Sequence, residues 1–146
     1  MQNTTLSCRT KPSCKISSYA VVRPPHAPHA PRFRADWFDR GNVRVSTPGE
    51  SYADKYPCIW NAGNLPNQSE YEIDFPVTAD YSFVALYTAQ SSRPVDIYLD
   101  GQKIHQGFAS VTGSWQTSHA EWEPQCTMHI TEGKHTIKLL CPGACM

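Results

Sequence analysis

No acidic residue precedes Asp36, no apolar run approaches the roughly 18 residues of a membrane-spanning helix, and the motifs of several enzyme classes are missing. The first absence leaves a basic leader, and the second removes a membrane from the expected partners. There is no Gly-rich phosphate loop, no Gly-x-Ser-x-Gly elbow and no His-Glu-x-x-His helix, so motif-borne catalysis has no support. The chain is expected not to be an enzyme. Nothing between Met1 and Val22 supplies the apolar core of about 7 to 15 residues that a secretory signal needs. That basic, Ser/Thr-rich stretch is closer to an organelle transit peptide, although its prolines spoil a long amphipathic helix, and an unstructured leader is the plainer reading.

What is present divides the chain in two. Residues 1–34 carry Arg9, Lys11, Lys15, Arg23, Arg32 and Arg34 without an acid, so that segment is +6 and the remainder −6. The run Pro24-Pro-His-Ala-Pro-His-Ala-Pro31 cannot feed a hydrogen-bond ladder and favours extended polyproline backbone. Residues 1–31 are therefore expected to be a disordered, basic, Pro-rich leader, and residues 32–146 a single domain, since 146 residues with 40% apolar content suit one core. Scattered cations without interleaved aromatics make a weak nucleic-acid footprint, and nucleic acid is not an expected partner.

The domain reads as strands. Tyr71, Ile73, Phe75 and Val77 alternate with Glu70, Glu72 and Asp74, the period of a strand with one wet face. Tyr81 to Thr88 is apolar on both phases and reads as the middle of a sheet. Val95, Ile97 and Leu99 lead into Asp100-Gly101, a dipeptide that supplies the positive φ angles of a two-residue hairpin. Thr127 to Ile130 and His135 to Cys141 flank Thr131-Glu-Gly-Lys134 in the same manner, which predicts a second hairpin. The expected fold class is all-β, an antiparallel β-sandwich.

Six cysteines (Cys8, Cys14, Cys58, Cys126, Cys141, Cys145) permit complete disulfide pairing. Cys126 and Cys141 open and close the second predicted hairpin, so a bridge between them is sterically reasonable, with Cys58 or Cys145 as alternative partners. Zinc is not expected: structural sites draw on two close pairs of ligands, and Cys141 and Cys145 form one, with His119, Cys126 and His129 upstream. His119-Ala-Glu121 lacks the Pro-Cys-x-x-Cys partner and the helices of zinc deaminases. Asn3-Thr-Thr5 and Asn67-Gln-Ser69 fit the N-glycosylation acceptor pattern, one that arises often by chance.

Glu121 and Glu123 flank Trp122 on one strand face, a spacing to test for paired-carboxylate hydrolysis but more typical of a solvated face. Aromatics are the better lead. Sugar rings present apolar C–H faces that stack on Trp and Tyr. Trp37, Trp60, Trp115, Trp122, Tyr52 and Tyr56 fall in turn-rich segments; Trp115 follows the break Val111-Thr-Gly-Ser114, where a ring is presented, whereas Trp60 follows Ile59 and reads as core.

The collinear order of Phe33-Arg-Ala-Asp36-Trp-Phe-Asp-Arg-Gly41-Asn, Tyr71-Glu-Ile-Asp-Phe-Pro-Val77, Tyr81-Ser-Phe-Val-Ala-Leu-Tyr87, Val95-Asp-Ile-Tyr-Leu-Asp-Gly101, Thr112-Gly-Ser-Trp115 and Glu132-Gly-Lys-His-Thr-Ile-Lys-Leu139 resembles the carbohydrate-binding modules of families six and thirty-five over about residues 32 to 140. The resemblance implies a galactose-binding-like jelly roll and a non-catalytic accessory domain, exported, whose partner is a polysaccharide or glycan and whose longer parent carries a linked catalytic domain. It places the glycan on Trp115 with Tyr56 or Tyr52, and aligns Asp36 with an acid that ligates a structural calcium in the family. It also implies a strand after Met146, so the sandwich is expected either to lack its last strand or to be a fragment. The competing reading is a structural or protein-contacting sandwich whose aromatics are core.

Overall fold

The computed structural model describes residues 19–23, 31–61 and 65–143 of the chain. Its strands are β1 (Tyr19–Arg23), β2 (Arg32–Arg34), β3 (Arg40–Gly41), β4 (Arg44–Ser46), β5 (Cys58–Trp60), β6 (Asn67–Phe75), β7 (Ala79–Tyr87), β8 (Val95–Leu99), β9 (Gln102–Gly107), β10 (Glu121–Ile130) and β11 (Gly133–Cys141). The helical structure among the described residues is one 3-10 turn, Thr117–His119, and no helix there is long and apolar enough to cross a membrane.

Two antiparallel sheets form the sandwich, one in the order β10-β7-β1-β2 and the other β3-β6-β11-β8-β9, with β4 and β5 as a separate ribbon. Inward positions follow the period of two. Tyr71, Ile73 and Phe75 from β6, Tyr81 and Phe83 from β7, Ile97 from β8, Met128 and Ile130 from β10, and Ile137 from β11 make one buried cluster. The polar alternates of β6 stay on the outer face, where Arg40 bonds Glu70 and Glu72 at 2.9 Å each. The doubly apolar run of β7 lies between β10 and β1, at the interior of its sheet as expected.

Asp100 and Gly101, with φ of 49° and 84°, form the β8–β9 hairpin that the sequence predicts. The second predicted hairpin does not form. Met128 lies opposite Tyr81 in one sheet and Ile137 opposite Tyr71 in the other, so the turn after Ile130 carries the chain across the sandwich. The Pro76–Thr78 connection does likewise between β6 and β7. A tight turn between two alternating strands has the same composition in both cases, and the pattern of inward residues names a face but not a partner.

The domain boundary also shifts. Residues 1–31 were expected to be disordered throughout, yet Tyr19–Arg23 is a strand whose Val21 lies opposite Val84 of β7 and Arg32 of β2. The run Tyr-Ala-Val-Val is short, and the prolines after it masked its β-branched character. Residues 1–18 and 24–30 of that leader lie outside the described residues, with Cys8, Cys14 and Asn3. Asn67, the other glycosylation candidate, is 1% exposed, which closes it to that modification.

Phe83 is fully buried at the centre of the cluster, stacked with Phe33 at 6.3 Å and edge-on to Phe108. Phe83→Ala is expected to cost about 3–5 kcal/mol, read as a lowered urea midpoint at unchanged slope.

Candidate functional site

A cavity of about 330 Å³ opens at the end of the sandwich where β6 starts and β7 and β11 finish. Its walls include Phe83, Ala85, Val95 and Leu139 from the sheets, and its surround includes Trp60 from β5 and Tyr52, Tyr56 and Trp115 from the connecting segments. All three aromatic residues singled out from the sequence therefore meet at one cavity. Trp60, expected as core, joins them: it is half-buried, edge-on to Tyr52 at 5.4 Å, and its indole N–H donates to Ser46 Oγ at 2.9 Å. Trp37 is half-buried beneath the Arg34 guanidinium at 4.6 Å, and Trp122 is exposed; neither lines the cavity.

Side-chain hydrogen bonds splice these segments together. Thr117, 3% exposed, accepts from the backbone N–H of Lys55 (3.1 Å) and Tyr56 (2.8 Å) through its hydroxyl oxygen and donates to Asp54 Oδ1 at 3.1 Å. Its own N–H donates to the Tyr52 carbonyl at 3.0 Å. The Ser118 amide (2.8 Å) and hydroxyl also donate to Asp54. These bonds, the Ser118 hydroxyl foremost, hold the Asp54 carboxyl below its ordinary range, so the share of the splice that Asp54 supplies is full at neutral pH and weakens as pH falls through that lowered value, while the Thr117 bonds to the Lys55 and Tyr56 amides do not titrate. On the other side Thr88 Oγ1 donates to the Ser114 carbonyl at 2.7 Å, and the amides of Thr112 and Gly113 donate to the Ala89 carbonyl at 2.8 and 3.1 Å. Trp115 is thereby fixed between the end of β7 and the Tyr52–Tyr56 segment.

Cations lie over the rings. Arg93 is 5.3 Å from the Trp115 centroid, Arg44 5.8 Å from that of Trp60 and Lys55 4.8 Å from that of Tyr56. Deeper in, Phe108 adopts a φ of 60° after Gly107, with its N–H donating to Gln125 Oε1 at 2.6 Å and its ring edge-on to Tyr87 at 5.2 Å. Only the position of Phe108 after a glycine hinted at this placement.

Of the two acids considered for catalysis, Glu123 is otherwise engaged. Glu121 is exposed, while Glu123 accepts from Ser110 Oγ at 2.6 Å, from the Tyr87 hydroxyl and from Gln125. The Ser110 bond is the main reason that the Glu123 carboxyl sits below its usual range, the opposite of what a general acid requires.

Asp36 does not fit the calcium role that the resemblance implied. Its Oδ1 and Oδ2 accept from Arg34 Nε at 2.9 Å and Nη2 at 2.6 Å, and both side chains are buried. A guanidinium already supplies the positive charge, and no group of three His, Cys, Asp or Glu residues suited to a metal occurs among the described residues.

The bridge between Cys126 and Cys141 is not made: Cys126 is a free thiol, as is Cys58, and Cys126 and Cys141 belong to different sheets. Burial pushes the Cys58 and Cys126 thiols up to about 11. Cys145 lies outside the described residues.

The family model for carbohydrate binding module (family 6) matches residues 45–144. Among solved structures, a CBM35 from Paenibacillus barcinonensis superposes with a TM-score of 0.59 at 21% identity, covering 77% of this chain and 88% of that one. A family 35 carbohydrate binding module from an environmental isolate gives a TM-score of 0.57 at 12% identity, over 74% and 80% of the two chains. No curated protein matches the sequence.

Two outcomes test the geometry. Thr117→Val, which strands the Lys55 and Tyr56 amides, is expected to cost about 1–3 kcal/mol and to remove hydrogen-exchange protection at those two amides before the β-sheet amides. Asp36→Ala, which removes the carboxylate that the buried Arg34 guanidinium bonds, is expected to cost about 3–5 kcal/mol in chemical denaturation; the apolar double substitution Arg34→Met with Asp36→Leu should lose less.

Proposed function

The chain belongs to the carbohydrate-binding modules of family 6, and from that premise we propose that it is a non-catalytic accessory module stacking a glycan on Trp115, Tyr56 and Tyr52 at the loop end of its sandwich. The observation that carries this reading is the convergence of those rings, with Trp60, on one cavity. Its volume falls near the lower bound of the roughly 300–1,000 Å³ usual for small-ligand sites, a size suited to a short stretch of glycan. Pyranose C–H faces pack on aromatic faces, and hydroxyls exchange water for hydrogen bonds at the rim.

The non-catalytic part of the proposal draws on the lining residues. None of the described ones is Asp, Glu or His, so the cavity does not supply the carboxylate pair usual in glycoside hydrolysis. The module's task is then to hold a polysaccharide near a catalytic domain of the same parent polypeptide. Because the two loops are tied through Thr117, the platform is preorganised, and little ordering cost falls on binding.

Titration with soluble polysaccharides is expected to perturb tryptophan fluorescence and to give a calorimetric binding signal. Trp115→Ala is expected to weaken the calorimetric affinity at least about tenfold at an unchanged melting temperature. Undiminished binding in that variant would remove Trp115 from the site, and no response to any glycan would favour a purely structural sandwich.

A further inference from the structure

Among the described residues other than glycine, Ser51, Asp100 and Phe108 take a positive φ, of 34°, 49° and 60°. The first two are small polar residues in tight turns, Ser51 between the bridged Glu50 and Ala53 and Asp100 in the β8–β9 hairpin. Phe108 is neither small nor polar. A bulky side chain in the left-handed region costs about 1–3 kcal/mol in backbone strain and persists only where its surroundings impose it.

The groups that impose it form a chain of hydrogen bonds. The Phe108 N–H donates to Gln125 Oε1 at 2.6 Å, and Gln125 Nε2 donates to the Glu123 carbonyl at 3.1 Å and to its carboxylate at 3.3 Å. Glu123 in turn accepts from Ser110 Oγ at 2.6 Å and from the Tyr87 hydroxyl. Gly107 makes room for this, since a Cβ there would lie 2.5 Å from Gln125 Oε1. The network grips residue 108 by its backbone N–H, so it would hold glycine or asparagine there without the strain. The turn therefore does not require a benzyl group.

The ring has another place to act. It lines the cavity, is half-buried, and rests on the buried core cluster as Phe33 and Leu139 do. It thus lies deeper than Tyr52, Tyr56 and Trp115. Both aromatic neighbours meet it at steep angles, Tyr87 at 5.2 Å and 75° and Phe83 at 6.3 Å and 66°, so neither is stacked face to face against it. A ring held in this manner offers an apolar surface to the C–H face of a pyranose.

Resting on the sugar-binding reading above, we infer that Phe108 is a further sugar-contacting residue and sets how deep the glycan enters. One pyranose passes the rings at the mouth until its C–H face meets Phe108, so the glycan points into the sandwich instead of lying flat across the loops. The strained turn fixes that depth.

Mixed-linkage β-glucan, xylan, glucomannan and laminarin are titrated into the intact chain, and each that binds is partially hydrolysed and titrated again as short oligosaccharides. Binding is expected to survive shortening, because one inserted pyranose and its neighbours fill the site. In the saturated oligosaccharide complex of the 13C-labelled chain, intermolecular NOEs are expected between sugar C–H protons and the Phe108 ring, a contact that a purely structural ring would not give. Phe108→Gly, which keeps the backbone donor and relieves the strain, is expected to weaken calorimetric affinity at least about tenfold. A saturated complex without NOEs to Phe108, or binding that vanishes on shortening, overturns the inference and leaves the sugar-binding reading standing, even where Phe108→Gly does not fold. Undiminished affinity in folded Phe108→Gly also removes Phe108 from the role. Failure of all four polysaccharides to bind overturns the sugar-binding reading and this inference together.

Discussion

The loop end of this domain depends on the hydroxyl of one threonine. Thr117 is buried between two segments that the sheets alone do not hold together, and its oxygen serves two consecutive amides of one while its chain belongs to the other. Each backbone amide there is withdrawn from water, so without this acceptor the segment would have to open to be solvated. Asp54 completes the splice from below by receiving Thr117 and Ser118. Because the rings of Tyr52, Tyr56 and Trp115 are carried by the spliced segments, the spacing of the platform is a property of these hydrogen bonds as much as of the sandwich.

Beneath the loops, the cavity exists because the two sheets stop sharing side chains there. Towards the far end of the sandwich, Tyr71, Phe75, Tyr81, Phe83 and Ile137 close the space completely. Towards the loop end β6 and β7 present the smaller Ala85, Ser69 and Asn67 beside Val95 and Leu139, and these cannot fill the roughly 10 Å between the sheets. Loop aromatics and Phe108 cover the gap from outside. The site is thus built by small residues inside as well as by large ones at the rim.

Much of this was legible in the chain itself. Alternation at Tyr71–Phe75, the doubly apolar β7 and the Asp100-Gly101 turn are local signals, and each is reproduced in the structure. Strand partnership was not legible, because Ile130 and Ile137 satisfy the same inward pattern in different sheets. β1 was hidden by its length and its proline neighbours. At the candidate site, Trp115, Tyr56 and Tyr52 were visible as rings in turn-rich segments, but Thr117 carries no sequence signature. Its importance comes from burial and from which hydrogen-bonding groups face it, and both are tertiary facts. Asp36 shows the converse: an acid aligned with a metal ligand, but with an arginine two residues away as its buried partner.

The crossing of the chain between sheets after β6 and after β10 also has a kinetic side. Apart from β8 with β9, the long strands find their partners far along the chain: β6 waits for β11, and β7 is flanked by β1 and β10. No early fragment contains either complete sheet of the sandwich. Closing such distant loops before any contact rewards them slows the search for the native state, so folding is expected to be late and all-or-none, with little that a nascent half-domain could stabilise on its own.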